Sequence, residues 1–466
     1  MSENRSPLGE FEIRGEWWLP ESPTNRVAGV LRYKAGDWVK LEVDKPVRDP
    51  WVDTEPGIQT FSFAQRPFDI LLGTTTDGTP CTLFEGIEFA GTRVFARCLL
   101  VGGHFEHPAD VQIQSAEVHL THLEEWSEHS PFPFIFIPPV GEEGSYRVDI
   151  AYQRKQLLGF ELPSRACRIE VWSGTVPHTD VYNALTVRHE VLLSVDSKNP
   201  QSLTWYRNFF RDCTRLFSFF AGSRVVRTKT TCALATMDEN PDLPRGVELY
   251  DQRLSPATEA ERHPVTMPLP FTLVAPVAQQ VFDKWFAVAE ELAPVYQLLT
   301  EVLPPRDLGL EAMFLRLAQA LEVFFRRSIK ETYVEPEEYG LYYQTMVERL
   351  PEKMPEALKD RLRNHLRYGN EFSLYSVVNR LIKSLDEPAR YMLGVENRSE
   401  FARLVANTRN SLIHNIRPDG PFASTAREFV DVNRRLRALL YAVVAQFLGF
   451  SSPAVVRCIE NTRRSP

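Results

Sequence analysis

At 466 residues, and with roughly 150 residues as a usual domain size, the chain has room for two or three domains. A composition of 43% hydrophobic, 11% aromatic and 24% charged residues is that of a globular protein and excludes disorder, collagen and fibre. The formal net charge of −8 excludes a chain-wide positive field, so any contact with RNA or DNA must be local.

The opening MSENRSPLGEFEIRGEWW has no basic stretch followed by an apolar run and does not read as a secretory signal. From Phe11 to about Ile150, the runs VAGVLRY, WVKLEV, FDILLGTTT, CTLFEGIEF, TRVFARCLLVGG and VQIQSAEVHL alternate or are rich in β-branched and aromatic residues. Turn signals at Ala35-Gly36-Asp37 and Asp77-Gly78 separate them. This spacing predicts an antiparallel sandwich or barrel. Further strands are predicted at Ser145 to Gln153, Ala166 to Trp172 and Leu185 to Leu193, followed by a helix that Ser202 caps and Gly222 stops.

Beyond the proline-broken RHPVTMPLPFTLVAPV, apolar residues recur three and four apart almost to the C-terminus. Six main helices and a shorter one around Leu341 to Arg349 are expected, packed as an all-α bundle. Glycine and proline together number 40 in the first 280 residues and 17 in the last 186. The same division gives charges of −10 and +2, and seven of eight tryptophans lie in the first part. The fold class is therefore α+β in two domains: residues 1–275, β-rich with a helix, and residues 276–466, all helical.

The cysteines at 81, 98, 167, 213, 232 and 458 show neither paired spacing nor clustering with histidine, so reduced thiols and a cytoplasmic location are expected. The longest apolar candidate, Leu439 to Phe450, falls short of the roughly 18 to 20 residues that span a bilayer. His104 with His107 and His119 with His122 invite a zinc reading. However, His119 and His122 lie three apart on a predicted strand and point to opposite faces, with no cysteine at ligand spacing. No metal and no cofactor are expected. Trp17, Trp18, Trp38, Trp51 and Trp126 read as packing residues.

One helix, EFARLVANTRNSLIHNI, carries Arg409, then the polar Asn410, then His414. Roughly one arginine and histidine so spaced would arise by chance in a chain of this composition, so spacing alone decides little. Five positions on a regular helix diverge by roughly 140°. Either the helix distorts near its end, or two copies meet so that the histidine of one faces the arginine of the other. Glu322 and Arg326 lie four apart, spaced for an ion pair on one helical face that could also brace a cleft. Arg361, Arg363, His365 and Arg367 beside Tyr368 read first as a solvated face and second as a contact for an RNA backbone.

The helix with TRNSLIH, together with FLRLAQALEVFFRR and RYGNEFSL, resembles the HEPN superfamily, and among its members the ApeA-like proteins of anti-phage defence, in which a β-rich N-terminal domain precedes a HEPN domain. GEWWLP, LLVGGHF and LTHLEEW carry the N-terminal part of the likeness. The resemblance implies an endoribonuclease without metal, with Arg409, Asn410 and His414 as catalytic residues and Glu322 and Arg326 in support. It also implies a homodimer through the HEPN domain with a composite site, RNA as substrate, and a phage-derived trigger acting on the N-terminal domain. The residue types suit that chemistry. An imidazole takes or gives a proton near neutral pH, and a guanidinium stays charged and forks two donors onto phosphate oxygens. Two other readings remain open: a non-catalytic RNA-binding or dimerisation protein with a ligand-sensing β domain, and a lectin-like or otherwise enzymatic β domain.

Overall fold

The computed structural model describes residues 10–48, 51–55, 58–61, 65–89, 91–130, 154–180, 184–235, 246–251, 263–304, 308–414 and 417–464. The strand predicted at Ser145 to Gln153 lies outside them. Two compact units divide the chain: Met1–Phe217, Val225–Pro264 and Pro270–Asp283 form the first, and Ser218–Arg224, Val265–Leu269 and Lys284–Pro466 the second.

In the first unit the strands are β1 (Glu10–Trp18), β2 (Val27–Lys34), β3 (Val39–Val43), the separate pair β4 (Trp51–Glu55) and β5 (Ile58–Phe61), β6 (Arg66–Thr75), β7 (Pro80–Phe89), β8 (Arg93–Val101) and β9 (Gln112–Leu120). After the single turn α1 (Leu123–Trp126) come β10 (Lys155–Leu162), β11 (Cys167–Asp180), β12 (Ala184–Ser202), helix α2 (Leu203–Ala221, assigned to this unit as far as Phe217), β13 (Arg227–Leu234), β14 (Val247–Asp251) and the short α3 (Phe271–Val274). Twelve strands make one sheet in the order β10-β11-β12-β9-β13-β14-β8-β3-β2-β1-β6-β7, and β7 pairs back onto β8, closing six strands into a barrel. Strand β8 serves both parts. Its first half, Arg93 to Ala96, pairs with β3, and its second half, Cys98 to Val101, pairs with β14.

Alternation explains the barrel's inside and outside. On β3, Val39, Leu41 and Val43 are buried while Lys40 and Glu42 face water, the two-residue period of a pleated strand. Ile13, Trp17, Leu31, Tyr33, Leu83 and Leu99 join the same core. A side chain at Gly73 would collide with the Trp17 indole, so a large ring here requires a glycine there.

The ends of α2 are as the sequence predicts. The Ser202 hydroxyl accepts from the Trp205 N–H at 3.2 Å, and Gly222 takes φ +65°. Tyr206 donates to the Gln114 carbonyl at 2.8 Å, tying the helix to β9. Arg207, also on α2, meets the fully buried Asp251 of β14 at 2.9 Å, and Arg227 of β13 reaches the same carboxylate at 3.3 Å. All six cysteines are buried, and no disulfide joins any of them.

The second unit is helical: α4 (Ala278–Val302, assigned to this unit from Lys284 on), α5 (Leu310–Phe324) running into a π turn at Phe325–Ile329, α6 (Pro336–Glu348), α7 (Glu356–Arg367), α8 (Leu374–Ser384), α9 (Glu387–Leu393), α10 (Arg398–His414), α11 (Ala426–Leu448) and α12 (Ser452–Arg464). Helix α11 is its axis, burying Val432, Leu436, Leu439, Leu440 and Val443 and packing on α5 and α12. Two helices go beyond the sequence expectation. Helix α9 is too short for periodicity to reveal and forms on its cap, the Asp386 carboxylate accepting from the Ala389 N–H at 3.0 Å. Helix α12 buries Ala454, Val455, Cys458, Ile459 and Thr462, a helical spacing that the sequence does contain.

Glu124 of α1 accepts the Val191 N–H at 3.0 Å, and burial pushes its carboxyl up to about 7 from 4.5. Between those values the native state holds a proton that the unfolded state releases, so this group's contribution to stability falls as pH rises from 4.5 through 7. Glu124→Gln, which keeps the acceptor, is expected to flatten that slope and stabilise the protein at pH 8 by up to about 3 kcal/mol. Denaturant melts at pH 5 and pH 8 measure the difference. Gly73→Ala is expected to destabilise by about 1–3 kcal/mol at either pH.

Candidate active site

Helix α10 starts on a side-chain cap. The Asn397 amide oxygen accepts from the backbone N–H groups of Ser399 and Glu400 at 3.0 and 3.2 Å. Its buried residues, Phe401, Ala402, Val405 and Thr408, fall on one stripe at helical spacing, and the helix packs on α8 and α5.

Thr408 is fully buried. Its hydroxyl donates to the Leu404 carbonyl at 2.7 Å and accepts from the Ala423 N–H at 2.9 Å, pinning the returning chain to the helix. Asn407 adds a second tie, donating to the Pro421 carbonyl at 3.2 Å. With 408 facing inward, the following residues turn outward: Arg409 is half-buried, and Asn410 and His414 are exposed.

Arg409 and Asn410 are brought together, with Nη1 donating to the amide oxygen at 3.4 Å. Arg409 and His414 are not. The helix is α throughout, and His414 is its last residue, so the two side chains diverge by roughly 140°. Among the described residues the His414 ring has no hydrogen-bond partner. It lies beside Ile413, which is 51% exposed.

Glu322 and Arg326 approach to 3.8 Å, and Arg326 also meets Glu371 at 3.1 Å. This chain of charges ties the π turn after α5 to the segment after α7. Sequence reasoning missed Glu371, although it sits within RYGNEF; its partner lies 45 positions away, beyond any local period. Asn370 in the same segment is a clamp, its side chain donating to the Val334 carbonyl at 2.8 Å and accepting from the Val334 N–H at 3.0 Å. Phe372 lies under the Arg380 guanidinium, 3.9 Å from the ring centre.

Of the two histidines predicted to share a strand, one lies on it. His119 is on β9 and faces Glu190 at 3.7 Å. His122, expected on the same strand, lies beyond its end at Leu120 with φ +63°, because the strand gives way to a turn before α1. Among the described residues, no group of three or more histidine, cysteine, aspartate or glutamate side chains is placed to hold a metal ion. Among them, too, no helix is long and apolar enough to cross a membrane.

A six-stranded barrel ahead of a helical unit that carries an arginine and histidine motif on one helix defines a class, and comparison with known families identifies it. Residues 12–285 match the model described as ApeA N-terminal domain 1, and residues 315–453 match Apea-like HEPN. The chain belongs to the ApeA-like family of two-domain proteins, and its helical part is a HEPN domain of the kind found in defence nucleases. No curated protein and no solved structure matches the chain.

The Thr408 pin is testable without any activity. Thr408→Val preserves shape but strands the buried Ala423 N–H, and is expected to lower stability by about 1–3 kcal/mol. Urea unfolding of the two proteins reads the loss.

Proposed function

We propose that the protein is an anti-phage endoribonuclease that cleaves RNA without metal at a site shared by two copies of the chain, under the control of its N-terminal domain. The observation that carries this is the geometry of α10. Arg409, Asn410 and His414 occupy an outward-turned helix end, and the regular helix keeps the arginine and histidine of one copy apart. A second α10 related by a two-fold axis would place the missing partner of each.

In this reading one His414 takes the proton from a ribose 2′-hydroxyl, whose oxygen attacks the adjacent phosphorus. The 5′-oxygen leaves with a proton from His414 of the partner subunit, giving a 2′,3′-cyclic phosphate and a 5′-hydroxyl. Arg409 holds the phosphate oxygens as negative charge gathers on them, and Asn410 orients Arg409. The chain from Glu322 through Arg326 to Glu371 braces the cleft. Because the attacking group is the 2′-hydroxyl, the substrate is RNA rather than DNA.

An exposed hairpin supports assembly with a second copy. Helices α6 and α7 contain no buried residue, yet carry Leu341, Tyr342, Met346 and Leu358 in contact with water, Leu341 at 65% exposure. Helices this short are marginal without a packed face. Helix α6 is acidic through Glu337, Glu338 and Glu348, and α7 is on balance basic through Lys359, Arg361, Arg363 and Arg367. One hairpin therefore offers both halves of a charge-complementary pairing.

The decisive experiment incubates the purified protein with RNA in EDTA, with and without extract from phage-infected cells. Cut ends bearing 2′,3′-cyclic phosphate are expected, with His414→Ala lowering the rate by about 10²- to 10⁴-fold. Retained cutting by that variant overturns the catalytic assignment. RNA held without cut ends leaves a binding module instead.

A further inference from the structure

Helix α9 and the start of α10 enclose a cleft of about 850 Å³, lined by Arg390, Tyr391, Glu396, Arg398 and Arg463 among others. Its volume lies within the range of small-ligand sites, and nothing in the mechanism above uses it. Three observations set it apart. Tyr391 is 85% exposed, the most exposed large apolar side chain among the described residues. The guanidinium groups of Arg390 and Arg398 have no hydrogen-bond or ion-pair partner among the described residues. Arg463, by contrast, is committed, donating to the Met392 carbonyl at 2.6 Å and closing the cleft floor beside Gly394, which takes φ +70°.

A ring left in water next to two unpaired guanidinium groups matches an unstacked base joined to phosphates. The ring supplies a stacking face, and each arginine supplies forked donors for phosphate oxygens. Glu387 and Glu396 also line the cleft, so its three arginines leave a net charge of only about +1, too little to hold a duplex through charge alone. The carboxylates can instead accept from base amino groups. Arg398 is the first residue of α10 and Arg409 is eleven positions on, about 16 Å along the helix axis at 1.5 Å per residue. One helix therefore carries this cleft at one end and the nuclease motif at the other.

We infer that the cleft between α9 and α10 binds single-stranded RNA, stacking a base on Tyr391 and holding the neighbouring phosphates with Arg390 and Arg398, as a substrate subsite remote from the cut. The inference rests on the ribonuclease reading for its substrate, and not for its chemistry of recognition.

The test uses the full-length His414→Ala protein and a fluorescein-labelled, mixed-sequence single-stranded RNA of about 12 nucleotides, within the usual span of single-strand sites. Fluorescence anisotropy is expected to show Tyr391→Ala weakening binding about tenfold, with Tyr391→Trp restoring it. Arg390→Ala and Arg398→Ala are each expected to flatten the plot of log K against log salt by about 0.7. With His414 intact, Tyr391→Ala should raise KM with kcat little changed. Unchanged binding by Tyr391→Ala, or no binding by the parent, overturns the subsite. Weakened binding in a protein that never cuts RNA keeps the subsite and removes the nuclease, whereas His414-dependent cutting with Tyr391→Ala binding as the parent does the reverse.

Discussion

The hydroxyl of Thr408 is the fixed point on which the candidate site turns. It is fully buried, and it serves two backbone groups at once, the Leu404 carbonyl of its own helix and the Ala423 N–H of the chain returning toward α11. A helix so held at one position has no freedom to rotate about its axis, and the direction of every later side chain follows from 3.6 residues per turn. Arg409 and Asn410 are turned outward for that reason, and His414 leaves the helix at a different angle. The same pin brings the start of α11 close. There the Thr425 hydroxyl accepts from the Glu428 N–H, and the Glu428 carboxylate accepts from the N–H groups of Ser424 and Thr425, which holds its carboxyl down to about 2.

A comparable economy organises the first unit. A barrel has no free edge, so a sheet can extend beyond it only by sharing a strand. Strand β8 is long enough to divide itself, giving one half of an edge to β3 and the other half to β14 while β7 occupies the opposite edge. Asp251, at the end of β14, draws Arg207 of α2 and Arg227 of β13 to one carboxylate. Burying three charges is costly, and removing the shared anion would strip the buried Arg227 of its ion-pair partner, while Arg207 keeps Glu85 at 2.9 Å, at a cost of about 3–5 kcal/mol. Such a contact specifies which helix face meets which strand pair more than it adds to net stability.

The elements differed in how legible they were, and the reasons are physical. Strands β2, β3 and β6 to β9 carry two-residue alternation or dense β-branched runs, and the long amphipathic helices repeat every 3.6 residues, so both declare themselves locally. Helix α2 announced both its ends through Ser202 and Gly222. Helix α9 did not, because seven residues hold too few turns to show a period, whereas the buried positions of α12 are regularly spaced. The strand expected to hold His122 ends two residues before it; a left-handed residue there is a property of the turn, and the histidine itself gives no sign of it. In the candidate site, Arg409, Asn410 and His414 were legible only as residue types on one helix, and Glu322 with Arg326 as a spacing. Glu371 and Asn370 were not, since what they do depends on residues 36 to 45 positions distant.

By itself the sequence determined what short-range physics determines: two domains of different class, the periods of their elements, and a helix bearing an arginine and a histidine whose separation is set by the helical repeat. The tertiary structure alone decided that the strands close into a barrel through β7 and β8, that Thr408 faces inward and so turns the motif outward, that Arg326 finds Glu371, and that Arg390, Tyr391 and Arg398 gather around one cleft. Those outcomes depend on which distant surfaces come into contact. Loop closure and the burial of whole faces settle that choice, and neither leaves a mark on any short stretch of the chain.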